Sequence, residues 1–287
     1  MSKISFVNGR YAPTVNATVN VEDRGYQFAD GVYEVIAVAG SRLIDLEPHL
    51  ERLNRSLLNL EIECPCSERV LKIILRKLLN RNRLKDGIVY IQVTRGVAPR
   101  THAFPKERVR PSLVVSVSHA GRPSVRQLEE GVKVVTMPEN RWQRPDIKSV
   151  SLLPNVLAKQ YAVENNAFET WFIDDEQTVT EGASTNAWIV LVGQEIVTRP
   201  LGNDILGGIT RMKLIELAKA GNMRITERPF SIEEALNAEE AFISSTTSFV
   251  TPVIAIDGEV VGSGKPGPVT RNLLAMYREQ FFGKQTI

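Results

Sequence analysis

An α+β chain of two domains is what the sequence predicts, and three observations predict it. Short runs of alternating apolar and polar residues are joined by Asn-Gly and Gly-Ser turns, which is the pattern of β-hairpins. Leucine-rich segments between those runs repeat at helical spacing. The length of 287 residues exceeds what one small core organises, because domains typically span roughly 100–200 residues. The stretch "HAGRPSVRQ" has the composition of a linker and marks the boundary. A smaller N-terminal domain is expected over 1–120, a linker over 121–126 and a larger C-terminal domain over 127–287.

The elements follow in order. "ISFVNGRYAP" reads as two strands around Asn8-Gly9, and "VYEVIAVAGSRLIDL" as two more around Gly40-Ser41. "LEPHLERLNRSLLNLEI" and "SERVLKIILRKLLNRN" are amphipathic helices with their charges opposite the leucines. "DGIVYIQVTRG" and "SLVVSVSHA" are strands, and the loop between them is free to carry function. After the linker come a strand, "GVKVVTM", and a helix with Pro154 in its first turn that runs to about Asn165. Strands "ETWFIDD", "STNAWIVLV" and "EIVTR" precede "ILGGITRMKLIELAKAG", a glycine turn opening a helix that stops at Gly221. "EEAFISSTTSFVTPVIAIDGEVV" supplies a buried strand, a hydroxyl-rich turn and a hairpin at Asp257-Gly258, and a last helix starts near Pro268.

Composition excludes several classes of function. A net charge of +2, with acids and bases interspersed, gives no electrostatic footprint for nucleic acid. No apolar run approaches the roughly 20 residues of a bilayer crossing. The N-terminal "MSKISFVNGRY" lacks the apolar core of a secretory signal, so a cytoplasmic protein is expected. Cys64 and Cys66 lie together in "ECPCSE" without the about four ligands a structural zinc needs, which fits a reducing compartment and no metal site.

Four places carry groups able to do chemistry. Lys148 lies between apolar runs, where partial desolvation lowers an amine's proton affinity and allows a Schiff base; a solvated lysine at a strand end is the alternative. Glu181 precedes Gly182, where backbone can approach a ligand closely, or it is only an acidic turn. "LGGITR" leads into a helix whose first N–H groups and dipole favour a phosphate, though without a P-loop lysine it does not read as a nucleoside-triphosphate site. "SSTTS", Ser244 to Ser248, adds hydroxyl donors or is a plain surface turn.

Seven blocks in this order, "RGYQFADGVYEVI", "HLERL", "VTRGVAPRTHAFP", "DIKSVSLLPNVLAKQ", "VTEGASTN", "GGITR" and "STTSFVTPV", strongly resemble the fold-type IV pyridoxal-phosphate aminotransferases. Within that class the resemblance, which covers essentially the whole chain, is to the D-amino-acid aminotransferases. It implies two α/β-type domains with the cofactor, pyridoxal 5′-phosphate, between them. It implies Lys148 as the Schiff-base lysine and proton shuttle, and Glu181 as the partner that keeps the pyridine nitrogen protonated. Arg52, Ile209, Thr210, Ser245 and Thr246 would hold the phosphate, although Arg52 also reads as a charge on a solvated helix face. Arg100 and His102, with the phenol of Tyr33, match the family's trap for the substrate α-carboxylate, for which an arginine fork is well shaped. In the family the arginine and histidine come from the neighbouring subunit, so a two-fold homodimer is implied.

The activity this resemblance implies is transfer of the amino group of a D-alanine-like donor to a 2-oxoglutarate-like acceptor in a ping-pong cycle. Branched-chain L-amino acids, (R)-amines or aminodeoxychorismate are alternative substrates for the same fold and cofactor, and a non-catalytic binder that kept the fold is a further alternative. His49 and His119 match no catalytic role and are expected on a helix surface and in the linker. Phe249 and the pair Pro154-Asn155 depart from the family pattern, and Phe249 is expected to touch the pocket edge.

Overall fold

The computed structural model describes residues 3–119 and 123–282, and the chain divides into two compact units. The first is Met1–Gly121 with Ile147–Ser151; the second is Arg122–Asp146 with Leu152–Ile287.

The first unit holds, in order, β1 (Ile4–Val7), β2 (Arg10–Pro13), α1 (Arg24–Phe28), β3 (Gly31–Ala39), β4 (Arg42–Leu43), α2 (Leu46–Asn59), α3 (Glu68–Asn82), β5 (Gly87–Thr94) and β6 (Ser112–Ser118). Its strands form an antiparallel sheet in the order β2-β1-β6-β5-β3-β4. The β1–β2 turn has positive φ at both Asn8 (46°) and Gly9 (94°), the twist that a two-residue hairpin requires. One sheet face buries Ile36, Val89, Ile91 and Val115 against Leu50, Leu53 and Leu57 of α2 and Leu71, Leu75 and Leu78 of α3. Each such leucine contributes roughly 1.5–3 kcal/mol by leaving water. Ser67 caps α3, its hydroxyl accepting from Val70 N.

The short helix α1 escaped the sequence reading, because five residues are too few to show a period. Its cap is local: Asp23 accepts from Gly25 N. Gly25 is required by packing, since a Cβ there would lie 2.1 Å from Thr94 Cγ2.

The segment carrying Lys148, expected with the second domain, clusters with the first. Ile147 is buried in the first unit's core. Tyr33 N donates to Lys148 O at 2.9 Å and Val150 N to Gly31 O at 3.0 Å, so the backbone around the lysine is laid along the start of β3. Unpaired backbone groups cannot be buried cheaply, and β3 offers them partners.

The second unit holds α4 (Val125–Glu130), β7 (Val132–Pro138), α5 (Leu153–Glu164), β8 (Glu169–Ile173), β9 (Val179–Gly182), β10 (Asn186–Leu191), β11 (Glu195–Thr198), α6 (Ile209–Ala220), β12 (Ile225–Glu227), α7 (Ile232–Leu236), β13 (Glu240–Ser245), β14 (Phe249–Ile256), β15 (Glu259–Val260) and α8 (Pro268–Phe282). Its sheet is mixed, in the order β12-β11-β10-β13-β14-β7-β8-β9, with β15 on β14. The pairs β11–β12, β14–β7 and β7–β8 are parallel. The core gathers Val134, Trp171, Ile189, Val197, Phe230 and Ile243. Residues 121 and 122 of the expected linker lie outside the described residues, and the rest of it already enters α4, where Ser124 and Gln127 form a capping box.

Candidate active site

In the first unit a carboxylate is buried where the strand pattern is apolar. Val32, Glu34 and Ile36 share one face of β3, and Glu34 has 0% of its surface exposed. Its partners come from α2. Arg52 Nε donates to Oε1 at 2.7 Å and Nη2 to Oε2 at 2.8 Å, while His49 Nδ1 lies 2.8 Å from Oε2. Burial pushes the Glu34 carboxyl up, but the Arg52 guanidinium and the bonds from Arg52 and His49 outweigh it and hold the group down at about 2. His49, expected on the helix surface, is 2% exposed. It sits in helical register with Leu46, Leu50, Leu53 and Leu57, which is the buried stripe of α2. Burial first, then the charges of Arg52 and Lys148, hold its imidazole below the ordinary range, against the pull of Glu34. The solvated alternative for Arg52 fails for the same reason, as Arg52 is buried.

Lys148 is half-buried. Its N–H donates to Ser56 Oγ at 3.3 Å, and its Nζ lies 4.2 Å from the centroid of the Tyr33 ring. Tyr33 stacks on Tyr90, with ring centroids 5.7 Å apart. Burial, then the neighbouring Tyr33, pushes the Tyr90 phenol up to about 12, so Tyr90 remains a neutral donor to Gln92 Oε1.

The loop after β5 presents Arg100 and His102 at the surface. Both meet Phe28 of α1: the Arg100 Cζ is 5.1 Å and the His102 ring 5.4 Å from that ring's centroid. Tyr33 meets Lys148 and Tyr90 instead. The loop is held from below by residues the sequence reading passed over. Arg24 donates to Thr101 O at 2.6 Å and His102 O at 3.3 Å, and pairs with Asp30 at 2.7 Å. Arg95 shares Asp30 at 2.7 Å and places its guanidinium 3.7 Å from the centroid of Phe104. Arg24 and Asp30 stand six residues apart in one block of the sequence, and that opposite-charge pair was the available signal.

In the second unit Glu181 lies on β9, 4% exposed. Oε1 accepts from Arg141 Nη1 at 2.5 Å; Oε2 accepts from Asn186 Nδ2 at 3.0 Å and from Leu206 N at 3.1 Å. Burial pushes this carboxyl up to about 7, against the pull of Arg141 and of the Leu206 N–H. Arg141 also donates to Glu139 Oε2 at 2.6 Å, and although burial alone would lower it, the bond to Glu139 and the charges of Glu181 and Glu139 raise its pKa further. A carboxylate offers about four acceptor positions, and three are taken here, which leaves room for one more N–H.

Gly182 is a glycine because of its neighbours: a Cβ would stand 2.2 Å from Thr185 Oγ1 and 3.0 Å from Glu169 Cγ. Glu169 is wholly buried, and its Oε2 accepts from Ser184 N and Oγ. Asn155, one of the departures from the family pattern, ties α5 to the same turn by donating to Ala183 O at 2.8 Å.

Gly208 is the N-cap of α6 and supplies no side-chain acceptor to the first N–H groups. A Cβ on it would come 2.1 Å from Asn186 Oδ1, so the residue that steadies Glu181 also demands this glycine. Ile209 and Thr210 open the helix and are buried. Ser245 ends β13 and Thr246 opens the turn to β14, both half-buried; Ser245 Oγ accepts from Ser248 N at 3.0 Å. Phe249, expected at a pocket edge, is buried with positive φ (52°), and its ring packs 5.8 Å from Tyr277 of α8.

The architecture and these groups define a class. The chain belongs to the amino-transferase class IV family, whose model matches residues 31–256. It is 44% identical over 273 residues to the D-alanine aminotransferase of Staphylococcus aureus (strain MSSA476), covering 95% of both chains. Among solved structures it superposes on the branched-chain amino acid aminotransferase of Escherichia coli with a TM-score of 0.91 at 24% identity, covering 100% of this chain and 97% of that one. The branched-chain aminotransferase of the thermophilic archaeon Thermoproteus uzoniensis, solved with norvaline, gives a TM-score of 0.85 at 26% identity, over 99% and 96%. At such low identity the two structures speak for the fold alone.

Proposed function

We propose that the chain is a transaminase that uses pyridoxal 5′-phosphate to pass the amino group of a D-alanine-like D-amino acid to a 2-oxoglutarate-like 2-oxo acid in a ping-pong cycle. The 44% identity to D-alanine aminotransferase over nearly all of both chains carries this reading. The donor set fits the cofactor. The first unit offers an amine against an aromatic ring and a buried guanidinium; the second offers a helix start uncapped by its N-cap side chain and a buried carboxylate with an open acceptor position.

When bound, pyridoxal phosphate supplies an aldehyde that condenses with amines and a ring that draws electrons from the substrate Cα. Lys148 is the covalent anchor, and its Nζ takes the Cα proton and returns it. Its backbone is fixed at both N and O, so the amine works from one face, and that selects which Cα–H bond breaks. Glu181 holds a proton at the pyridine nitrogen. A positive charge beside it would draw its carboxyl from about 7 back into the anionic range. Arg52, Ile209 N–H, Thr210, Ser245 and Thr246 bind the phosphate, and Arg100, His102 and Tyr33 bind the α-carboxylate. The protein acts as a homodimer in which Arg100 and His102 serve the neighbouring subunit, in a reducing cytoplasm where Cys64 and Cys66 stay as free thiols.

Initial rates with D-alanine, L-leucine and (R)-1-phenylethylamine, each with 2-oxoglutarate, test the substrate class. D-Alanine should be fastest, and a win for L-leucine would defeat the reading. Lys148→Ala should cost at least about 10³-fold in rate.

A further inference from the structure

The buried cluster of Glu34, His49 and Arg52 has no counterpart in the proposed chemistry beyond the arginine. We propose that Glu34, backed by His49, is a positioning residue that presents the Arg52 guanidinium to a phosphate monoester dianion. The inference rests on the reading of Arg52 as a phosphate ligand.

Three features of the cluster carry it. The carboxylate grips the Nε–Nη2 edge of the guanidinium through two parallel bonds, at 2.7 and 2.8 Å, which fixes the plane of the fork. An arginine so held loses little further side-chain freedom when an anion arrives, and preorganisation of this kind raises affinity. The third feature is the protonation of His49. A carboxylate held as an anion only accepts, so the His49 Nδ1 that lies 2.8 Å from Glu34 Oε2 carries the proton. That proton also explains why the 3.5 Å approach of Arg52 Nη2 to the same nitrogen is a contact between two donors, each aimed at the carboxylate. Burial disfavours a second proton on His49, so its imidazole orients Glu34 without competing for its charge, and the charges of Glu34 and Arg52 cancel within the cluster. Tyr33, one residue before Glu34, points from the other face of β3, so one strand would register the phosphate arm and the α-carboxylate trap together.

The test measures cofactor affinity of the full chain after removal of bound cofactor, by absorbance, for pyridoxal 5′-phosphate and for pyridoxal. Their ratio isolates recognition of the phosphate. Arg52→Met should bring the ratio close to one; if it leaves the ratio at the parent's value, the phosphate reading of Arg52 itself has failed. Given a loss in Arg52→Met, Glu34→Gln should lower the ratio about tenfold or more while pyridoxal affinity stays within about twofold, because the amide turns a donor toward Nη2. His49→Asn, which keeps an N–H for Glu34, should hold the ratio near the parent, and His49→Leu should lower it. A fall in both affinities alike would make the cluster merely structural. A higher ratio in Glu34→Gln would mean that the carboxylate only neutralises Arg52; either result overturns the proposal. Should Glu34→Gln not fold, Glu34→Asp keeps the charge, withdraws it by one methylene and must show the same loss.

Discussion

Glu34 and Glu181 are both buried carboxylates, and their neighbours drive them in opposite directions. Glu34 is held at about 2, so against an ordinary value of 4.5 its contribution to stability is complete above about 4.5 and is lost as pH falls toward 2. Glu181 is raised to about 7 in the cofactor-free chain; the folded protein binds the extra proton between about 4.5 and 7, and stability falls as pH rises through that window. Denaturant unfolding of cofactor-free protein at a series of pH values should therefore show Glu181→Gln flattening the near-neutral slope while leaving the acid limb. Glu34→Gln should do the reverse. Arg141 joins Glu181 to Glu139, and Arg141→Met would leave the buried Glu181 and the half-buried Glu139 without their cation, at a cost of about 3–5 kcal/mol in the same assay.

At the scale of elements, α3 tests the packing of the first unit. Leu75 is fully buried, so Leu75→Ala should cost about 2–5 kcal/mol, and Ser67→Ala at the cap about 1 kcal/mol. The short helix α1 has a different task. Through Arg24 it holds the carbonyls of Thr101 and His102, and through Phe28 it carries the Arg100 and His102 side chains. Arg24→Ala should make the 93–105 loop the first site of limited proteolysis, with the far-UV spectrum unchanged. Cleavage as slow as in the parent would show that Arg95 and Asp30 suffice. The long helices and hairpins were legible because a period repeats several times within each. The five-residue α1 offers no such repeat: its cap is local, and its glycine is explained only by Gly25 lying against Thr94.

At the scale of the molecule, the proposed exchange of Arg100 between subunits has a direct test. Lys148→Ala and Arg100→Ala proteins, each inactive, should recover about a quarter of wild-type sites when their subunits are mixed and allowed to re-pair. In the mixed dimer one site has both the lysine and the neighbour's arginine. If Arg100 serves its own subunit, no site is complete and no activity returns. Denaturant stability of the unmixed variants should stay near the parent, since Arg100 lies at the surface.

The sequence by itself determined the two-domain α+β plan, most helix and strand limits and the residues on which the proposed cofactor chemistry rests, because periodicity and short motifs are local. It also held a signal left unread: a glutamate on the apolar parity of β3 and a histidine in the leucine stripe of α2 both imply buried partners. Tertiary structure alone decided which partners those are. It laid the Lys148 segment along β3, set Arg141, Asn186 and Leu206 N around Glu181, and turned Phe249 onto α8. The reason is physical: a buried charge must find its counter-charge wherever the chain brings one, and residues that meet across 40 or more positions, as Arg141 and Glu181 do, leave no mark in local spacing.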